Sequence, residues 1–354
     1  MAMRVSDFDY QLPEALIAQA PVTPRDASRL LVLSREGPVS HRAFTDLPTL
    51  LRAGDLVVFN DTRVIPARLV GYKADTGGKA ELLLLESHRG EMGPRWRAMG
   101  QATKALKPGV RLQFGALEAT VEAALGEGFY DVLLDREGAE LEAALARVGR
   151  IPLPPYIRRD PSIDDAERYQ TIFARIPGSA AAPTAGLHFT PGVLAALEAR
   201  GVERAAVTLH VGPGTFLPVR AESLDEHRMH EERYEVPEGT ARAFEACRAR
   251  GGRVVAVGTT AVRTLESACT DGRLAVGAGR TSLFIRPGYR FQTVDLLVTN
   301  FHLPRTTLLV LVSAFGGRER VLAAYREAVR EKYRFFSYGD AVLVERWEAH
   351  ATAG

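Results

Sequence analysis

The chain has 354 residues, 46% of them hydrophobic and 25% charged, the balance of an ordinary soluble globular protein long enough for two domains. A formal net charge of +2 excludes a global field directed at nucleic acid, so any such contact has to come from a local patch. The two cysteines, Cys247 and Cys269, exclude a disulfide scaffold and a multi-thiolate zinc site.

The N-terminal run MAMRVSDFDYQLPEAL has no apolar signal core or cleavage signature. The longest apolar stretch, Leu308 to Phe315, is too short for a bilayer, and together these features point to a cytoplasmic protein. Leu56 to Phe59 reads as a buried strand running into the turn-prone Asn60-Asp61-Thr62. From Val64 to Leu134 short apolar runs alternate with glycines, the texture of a small all-β barrel or Greek key. The helical run LEAALARVG follows, with Gly149 to stop it. Ile151 to Arg159, IPLPPYIRR, then reads as a stiff polyproline-like connector.

Beyond it strands and helices alternate. Thr190-Pro191 starts a helix that Gly201 ends. AAVTLHV, RVVAVG, SLFIRP, VDLLVTNF and the final AVLVE read as strands. Helices are expected at Gly239 to Arg250, Thr260 to Ala268, Thr307 to Ala314 and Arg318 to Tyr333. The fold class is therefore α/β: a larger, discontinuous α/β domain of residues 1–63 and 153–354 carrying a small inserted β-barrel domain of residues 64–152. The insert has equal numbers of acidic and basic residues, so it is no obvious electrostatic RNA module.

Chemistry-bearing residues cluster where strands turn into helices, the edge at which α/β proteins bind ligands. Asn60-Asp61-Thr62-Arg63 follows a strand, though an Asx turn that only satisfies backbone groups explains it as well. APTAGLHFT brings Thr184, Gly186 and His188 to a helix start, where free amides suit an anion; a packed histidine is the competing reading. His210 ends a strand before the loop of Gly212, Pro213 and Gly214, which can cradle a ribose or phosphate but is not a full dinucleotide fingerprint. His227, His230 and Glu231 lack the spacing and a third ligand for zinc, and no metal is expected. Thr259 or Thr260 caps a helix on which Arg263 and Glu266 share a face, as an ion pair or as ligand contacts. His302 precedes a wholly apolar, buried helix. On the helix from Arg318, the cations Arg326, Arg330, Lys332 and Arg334 are interleaved with Phe335, Phe336 and Tyr338, a pattern that suits RNA phosphates and bases or simply a solvated helix.

At these same positions the chain resembles the S-adenosylmethionine:tRNA ribosyltransferase-isomerase family. The similar blocks run nearly end to end, among them GDLVVFNDTRVIPARL, VGRIPLPPYI, APTAGLHFT, HVGPGTF, MHEERYEV, TTAVRTLES, TNFHLPRTTLLVLVSAF and YRFFSYGDAVL. Departures are confined to positions such as Ser179, Ala180, Pro213 and Ala261. The resemblance implies transfer and isomerisation of the ribosyl part of S-adenosylmethionine onto 7-aminomethyl-7-deazaguanine at the tRNA wobble position. The products are epoxyqueuosine-tRNA, adenine and methionine, and S-adenosylmethionine is a consumed co-substrate with no separate cofactor. It also implies a monomer. In that setting His188, His210, His302 and Asp61 are the catalytic candidates. Arg63, Thr184, Gly186, Gly212, Gly214, Thr259, Thr260, Arg263 and Glu266 are the substrate-binding ones, and Arg326, Arg330, Lys332 and Arg334 the RNA-binding ones. Two other classes compete. An RNA methyltransferase would need the missing glycine fingerprint, and a non-catalytic RNA-binding protein would need a basic insert.

Overall fold

The computed structural model describes residues 3–88, 93–159, 162, 164–212 and 221–347. The N-terminal part supplies strands β1 (Arg29–Leu33), β2 (Ser40–Ala43), β3 (Leu56–Asn60) and β4 (Thr62–Val64), with the short helix α1 (Leu47–Leu50) before β3. Six strands then close into an antiparallel barrel: β5 (Arg68–Lys73), β6 (Lys79–Ser87), β7 (Arg95–Ala102), β8 (Arg111–Phe114), β9 (Leu117–Gly126) and β10 (Phe129–Leu134). Alternate residues such as Leu69, Leu82, Trp96, Phe114, Val121 and Val132 fill its interior, as the period-2 pattern requires. Closure brings β5 against β8 so tightly that a Cβ on Gly71 would lie 2.0 Å from the Gln113 carbonyl oxygen. Helix α2 (Gly138–Val148) packs Leu141 and Leu145 onto the barrel. Gly149 does follow this helix, but for a steric reason: its backbone is extended, and a Cβ there would meet the Pro66 carbonyl oxygen at 2.0 Å.

The Pro-rich connector is not the uniform rod its sequence suggested. Ile157 N–H closes a turn onto the Pro154 carbonyl at 3.0 Å, which folds the segment back towards the sheet. Next come α3 (Asp165–Arg168), β11 (Ile176–Ser179), a 3-10 turn (Thr184–His188) and α4 (Pro191–Ala199). Thr190 caps α4 by accepting from the Val193 amide. The remainder runs β12 (Glu203–Leu209), β13 (Glu232–Val236), α5 (Glu238–Ala249), β14 (Val254–Val257), α6 (Thr259–Ala268), β15 (Cys269–Thr270), β16 (Arg273–Leu274), β17 (Gly277–Thr281), β18 (Leu296–Asn300), α7 (Thr307–Gly316), α8 (Arg318–Arg330) and β19 (Ala341–Glu345).

The expected strand at SLFIRP does not form. Arg263 takes the carbonyls of Thr281 and Leu283, and the Leu283 amide turns back to the Thr281 hydroxyl at 3.1 Å, so the segment bends away after β17. Nine strands form one mixed sheet in the order β17-β13-β12-β3-β14-β18-β19-β1-β2. Its centre, β12-β3-β14-β18, is parallel. β3, β14 and β18 are buried on both faces, hence their largely apolar runs, whereas β12 is buried only towards its carboxyl end. Leu56 and Val58 face α5 to α8, whereas Val57 and Phe59 face α1 and α4, which makes three layers. No helix among the described residues is long and apolar enough to cross a membrane.

Candidate active site

Because β3, β12, β14 and β18 run parallel, their carboxyl ends reach one edge of the sheet. There they deliver Asn60, His210, Gly258 and the run Asn300 to His302. β19 is antiparallel to β18, so the turn before it, with Phe336 and Ser337, arrives at the same edge. A cleft of about 700 Å³ of empty space, open mouth included, lies here. Its walls are Tyr156 from the connector, Ala181 to Ala185, Glu232, Thr259, Thr260 and Arg263, Thr299 to His302, and Phe336 with Ser337.

One wall is a continuous hydrogen-bonded chain. The Thr184 hydroxyl donates to Asn300 Oδ1 at 2.8 Å, and Asn300 Nδ2 donates to His188 Nε2 at 3.0 Å. His188 Nδ1 meets the Ser28 hydroxyl at 2.8 Å. Burial, reinforced by the Arg334 charge, lowers the His188 pKa to about 4, so the ring is neutral and Nε2 is free to accept. His188 thus stands behind Asn300 rather than in the cleft. Of the three candidate histidines, His302 is the one lining it, with Nε2 3.0 Å from the Thr299 hydroxyl and a pKa lowered by burial to about 3. Its main chain is held by the Tyr10 and Tyr325 hydroxyls.

His210 occupies a neighbouring pocket between barrel and sheet, with Glu86, Arg97, Phe129 and Arg233. Its Nδ1 lies 2.8 Å from the Thr62 hydroxyl, and burial first, then Arg233, lowers its pKa to about 4. Asp61 is buried away from the cleft, accepting from the Thr208 hydroxyl at 2.6 Å and from Arg175 at 2.9 Å. Asn60 closes an Asx turn by accepting from the Thr62 amide, and donates to the Thr260 hydroxyl at 3.1 Å. Arg63 is exposed on a separate groove beside Gly149 and Arg150. Gly186 gives room under Thr171, where a Cβ would approach to 2.9 Å. Gly212 donates its amide to Glu232 at 2.8 Å, and Gly214 lies outside the described residues.

Thr259 and Thr260 are the first two residues of α6, not its cap. The cap is Gly258 at φ +88°, with no side-chain capping bond, so the amide end of the helix faces the cleft. Arg263 and Glu266 do not pair as their spacing suggested. Arg263 forms a buried ion pair with Glu232 on β13. Glu266 instead gathers the amides of Gln292, Thr293 and Val294 and the Thr293 hydroxyl, fixing the turn before β18.

The basic set separates as well. Arg326, Arg330 and Lys332 are exposed, Arg330 pairing with Glu327, while Arg334 is half-buried and donates to the Ala20 carbonyl. Phe335, Phe336 and Tyr338 are buried, which corrects their reading as an exposed stacking face. His227 and His230 pack on Phe284 and Phe129, and no metal-binding group of three or more such ligands occurs among the described residues. Asn300, Glu232, Tyr156 and Ser337 were not singled out from the sequence. Only the strand-end position of Asn300 carried a usable signal.

The three-layer sheet with its appended barrel defines an α/β protein whose lined cleft lies at the carboxyl edge of the parallel strands. A model of the queuosine biosynthesis protein family matches residues 5–344, and the chain belongs to that family. The S-adenosylmethionine:tRNA ribosyltransferase-isomerase of Anaeromyxobacter sp. (strain Fw109-5) is 72% identical over 344 residues, 97% of this chain and 99% of the relative. The protein of the same name from Moorella thermoacetica is 54% identical over 97% of this chain and 100% of its own length. The crystal structure of an S-adenosylmethionine tRNA ribosyltransferase from Thermotoga maritima is similar at a TM-score of 0.55 and 39% identity, over 96% of this chain and 99% of that one.

Proposed function

We propose that the chain is an S-adenosylmethionine:tRNA ribosyltransferase-isomerase. It moves the ribosyl group of S-adenosylmethionine onto 7-aminomethyl-7-deazaguanine at the tRNA wobble position, giving epoxyqueuosine-tRNA, adenine and methionine. The observation that carries this reading is the near full-length identity to relatives bearing that name. The cleft is compatible with it. Reaction requires removal of a proton beside the sulfonium, a donor for departing adenine, and a neutral attacking amine. His302, neutral at physiological pH and part of the cleft wall, is our base. The amides of Thr259 and Thr260 are the site for the methionine carboxylate, because the Arg263 charge is already matched by Glu232. Tyr156 and Phe336 offer aromatic walls for a base withdrawn from the anticodon loop. His188 and Thr184 position Asn300, whose amide is our polar contact for ribose or leaving base. No metal or separate cofactor enters this scheme.

The test is incubation with S-adenosylmethionine and tRNA carrying the deazaguanine, followed by mass analysis of nucleosides and small molecules. Epoxyqueuosine with equimolar adenine and methionine is expected. S-adenosylhomocysteine without adenine would replace the reading by methyl transfer, and unchanged tRNA with folded protein would reject it.

A further inference from the structure

Beside the cleft lies a second, smaller pocket lined by Pro21, Val22, Arg25, Arg168, His188 and Tyr338. Ser337 lines both, so the two are separated by a single turn of chain. Two guanidinium groups, those of Arg25 and Arg168, line this pocket, and a third, Arg334, is anchored one residue before Pro21. Arg25 donates to the carbonyls of Gln170 at 2.6 Å and Glu167 at 2.9 Å. Arg168 donates to the Val22 carbonyl at 2.6 Å, and Arg334 to that of Ala20.

These anchors are all neutral, and any uncharged donor would serve them. None of the three arginines forms an ion pair among the described residues. Of the carboxylates nearby, Asp340 accepts from the amides of Arg29 and Arg334 and also feels the Arg334 charge, Asp165 is held by Arg159 and Tyr338, and Glu167 acts on Arg25 through space without an ion pair. Arg168 Nε and Arg334 Nη1 are also buried without an acceptor. Burial and the Arg168 charge weaken proton binding at Arg25, and Arg334 acts the same way on His188, so the positive field converges on the pocket. The Arg25 and Arg168 charges repel one another with only the exposed Glu167 offsetting part of it at Arg25, and an anion in the pocket would reverse that sign.

We propose that this pocket binds a backbone phosphodiester of the tRNA, the one flanking the nucleotide whose base enters the cleft. The proposal rests on the tRNA reading above and adds the place where the strand is gripped. A phosphodiester matches planar guanidinium donors, and phosphate contacts set register rather than sequence. It also separates Arg334 from the exposed Arg326, Arg330 and Lys332: the grip is made by Arg25, Arg168 and Arg334, which come from three distant stretches of chain.

The experiment compares Arg25→Gln, Arg168→Gln and Arg334→Gln with their lysine counterparts. Binding of substrate tRNA and of its unmodified transcript is followed by fluorescence anisotropy over a salt series, alongside KM for S-adenosylmethionine. Each glutamine variant is expected to bind both RNAs about tenfold more weakly, with a log–log salt slope shallower by about 0.7 to 0.9. KM for S-adenosylmethionine is expected to stay at the native value. Where a glutamine variant does not fold, the lysine variant carries the test, since charge without the planar fork keeps the slope but loses affinity several-fold. Native tRNA affinity and slope in these variants would overturn the proposal while leaving the activity standing. A rise in KM for S-adenosylmethionine alone would also overturn it, assigning the pocket to that substrate's carboxylate. Failure of the native protein to bind either RNA would remove the tRNA reading and the pocket together.

Discussion

Asn300 accepts from Thr184 on the cleft side and donates to His188 behind, so its amide is fixed before any ligand arrives. A preorganised donor of this kind contributes about 10²- to 10³-fold to a rate. Asn300→Ala is therefore expected to lower kcat by that order, read in the adenine-release assay. His188→Gln leaves a polar partner for Asn300 and should retain most of the rate, whereas His188→Phe should not. Equal rates in the two His188 variants would show that His188 has no positioning part. The Arg263–Glu232 pair is a second buried commitment, and Glu232 also holds the Gly212 amide. Removing one partner strands a buried charge at about 3–5 kcal/mol, while removing both costs less than the sum. A urea-unfolding cycle of Arg263→Met, Glu232→Leu and the double variant should show a coupling above about 1 kcal/mol, and strict additivity would refute it. The sequence placed Arg263 and Glu266 together on their three-residue spacing, and that was the natural inference from one helix. The true partner of Arg263 lies 31 residues away on β13, a relation that spacing does not encode.

At the scale of elements, α6 shows how a backbone position builds a ligand end. Gly258 sits at φ +88°, ψ 154°, a region open essentially to glycine alone. A Cβ there would meet Ala185 Cβ at an ordinary 3.5 Å, so the obstacle is conformational rather than steric. Gly258→Ala should cost about 1–3 kcal/mol in urea unfolding and tilt the Thr259 and Thr260 amides, raising KM for S-adenosylmethionine. Native stability in that variant would mean the helix start relaxes freely. Elements with a strong one-dimensional signal were legible: the apolar runs of β3, β14, β18 and β19, the Thr-Pro start of α4, and the amphipathic or apolar helices α5 to α8. β13 and β17 were not, because ERYEV and GAGRT are polar strands at and next to the sheet edge whose pairing partners, rather than their own composition, make them strands. SLFIRP had the composition and lost the partner, its carbonyls going to Arg263.

For the whole molecule, the change of sequence texture at residue 64 announced an inserted β unit, since glycine-punctuated runs and alternating helices need different layers. Its contact with the sheet was silent: Glu86 of the barrel meets Arg233 and Arg280 from strands far along the chain. Also silent was how many histidines would be buried without charge, and that sets the response of the entire fold to acid. His188, His210 and His302 fold with pKa values near 4, 4 and 3, below the ordinary 6.5, because burial disfavours their protonated forms. Between those values and 6.5 the unfolded chain binds more protons than the native one, so stability rises with pH there and is complete above 6.5. Each histidine contributes at most about 1.4 kcal/mol per pH unit, so the three together give a slope approaching about 4 kcal/mol per unit towards pH 5. Asp55 and Asp165 act in a lower window. Burial alone would raise them, but Arg253 and Arg159 with nearby amides hold them below 3.8, so their contribution is lost only as pH falls under about 4. The loss between pH 6.5 and 5 is therefore a histidine effect. Urea unfolding at pH 7.5, 6.0 and 5.0 should show it, and His188→Gln or His302→Gln should each flatten the slope by about a third. A native protein equally stable at pH 7.5 and 5.0 would mean that these rings take up protons in the folded state with near-ordinary pKa values, and that burial does not hold them neutral.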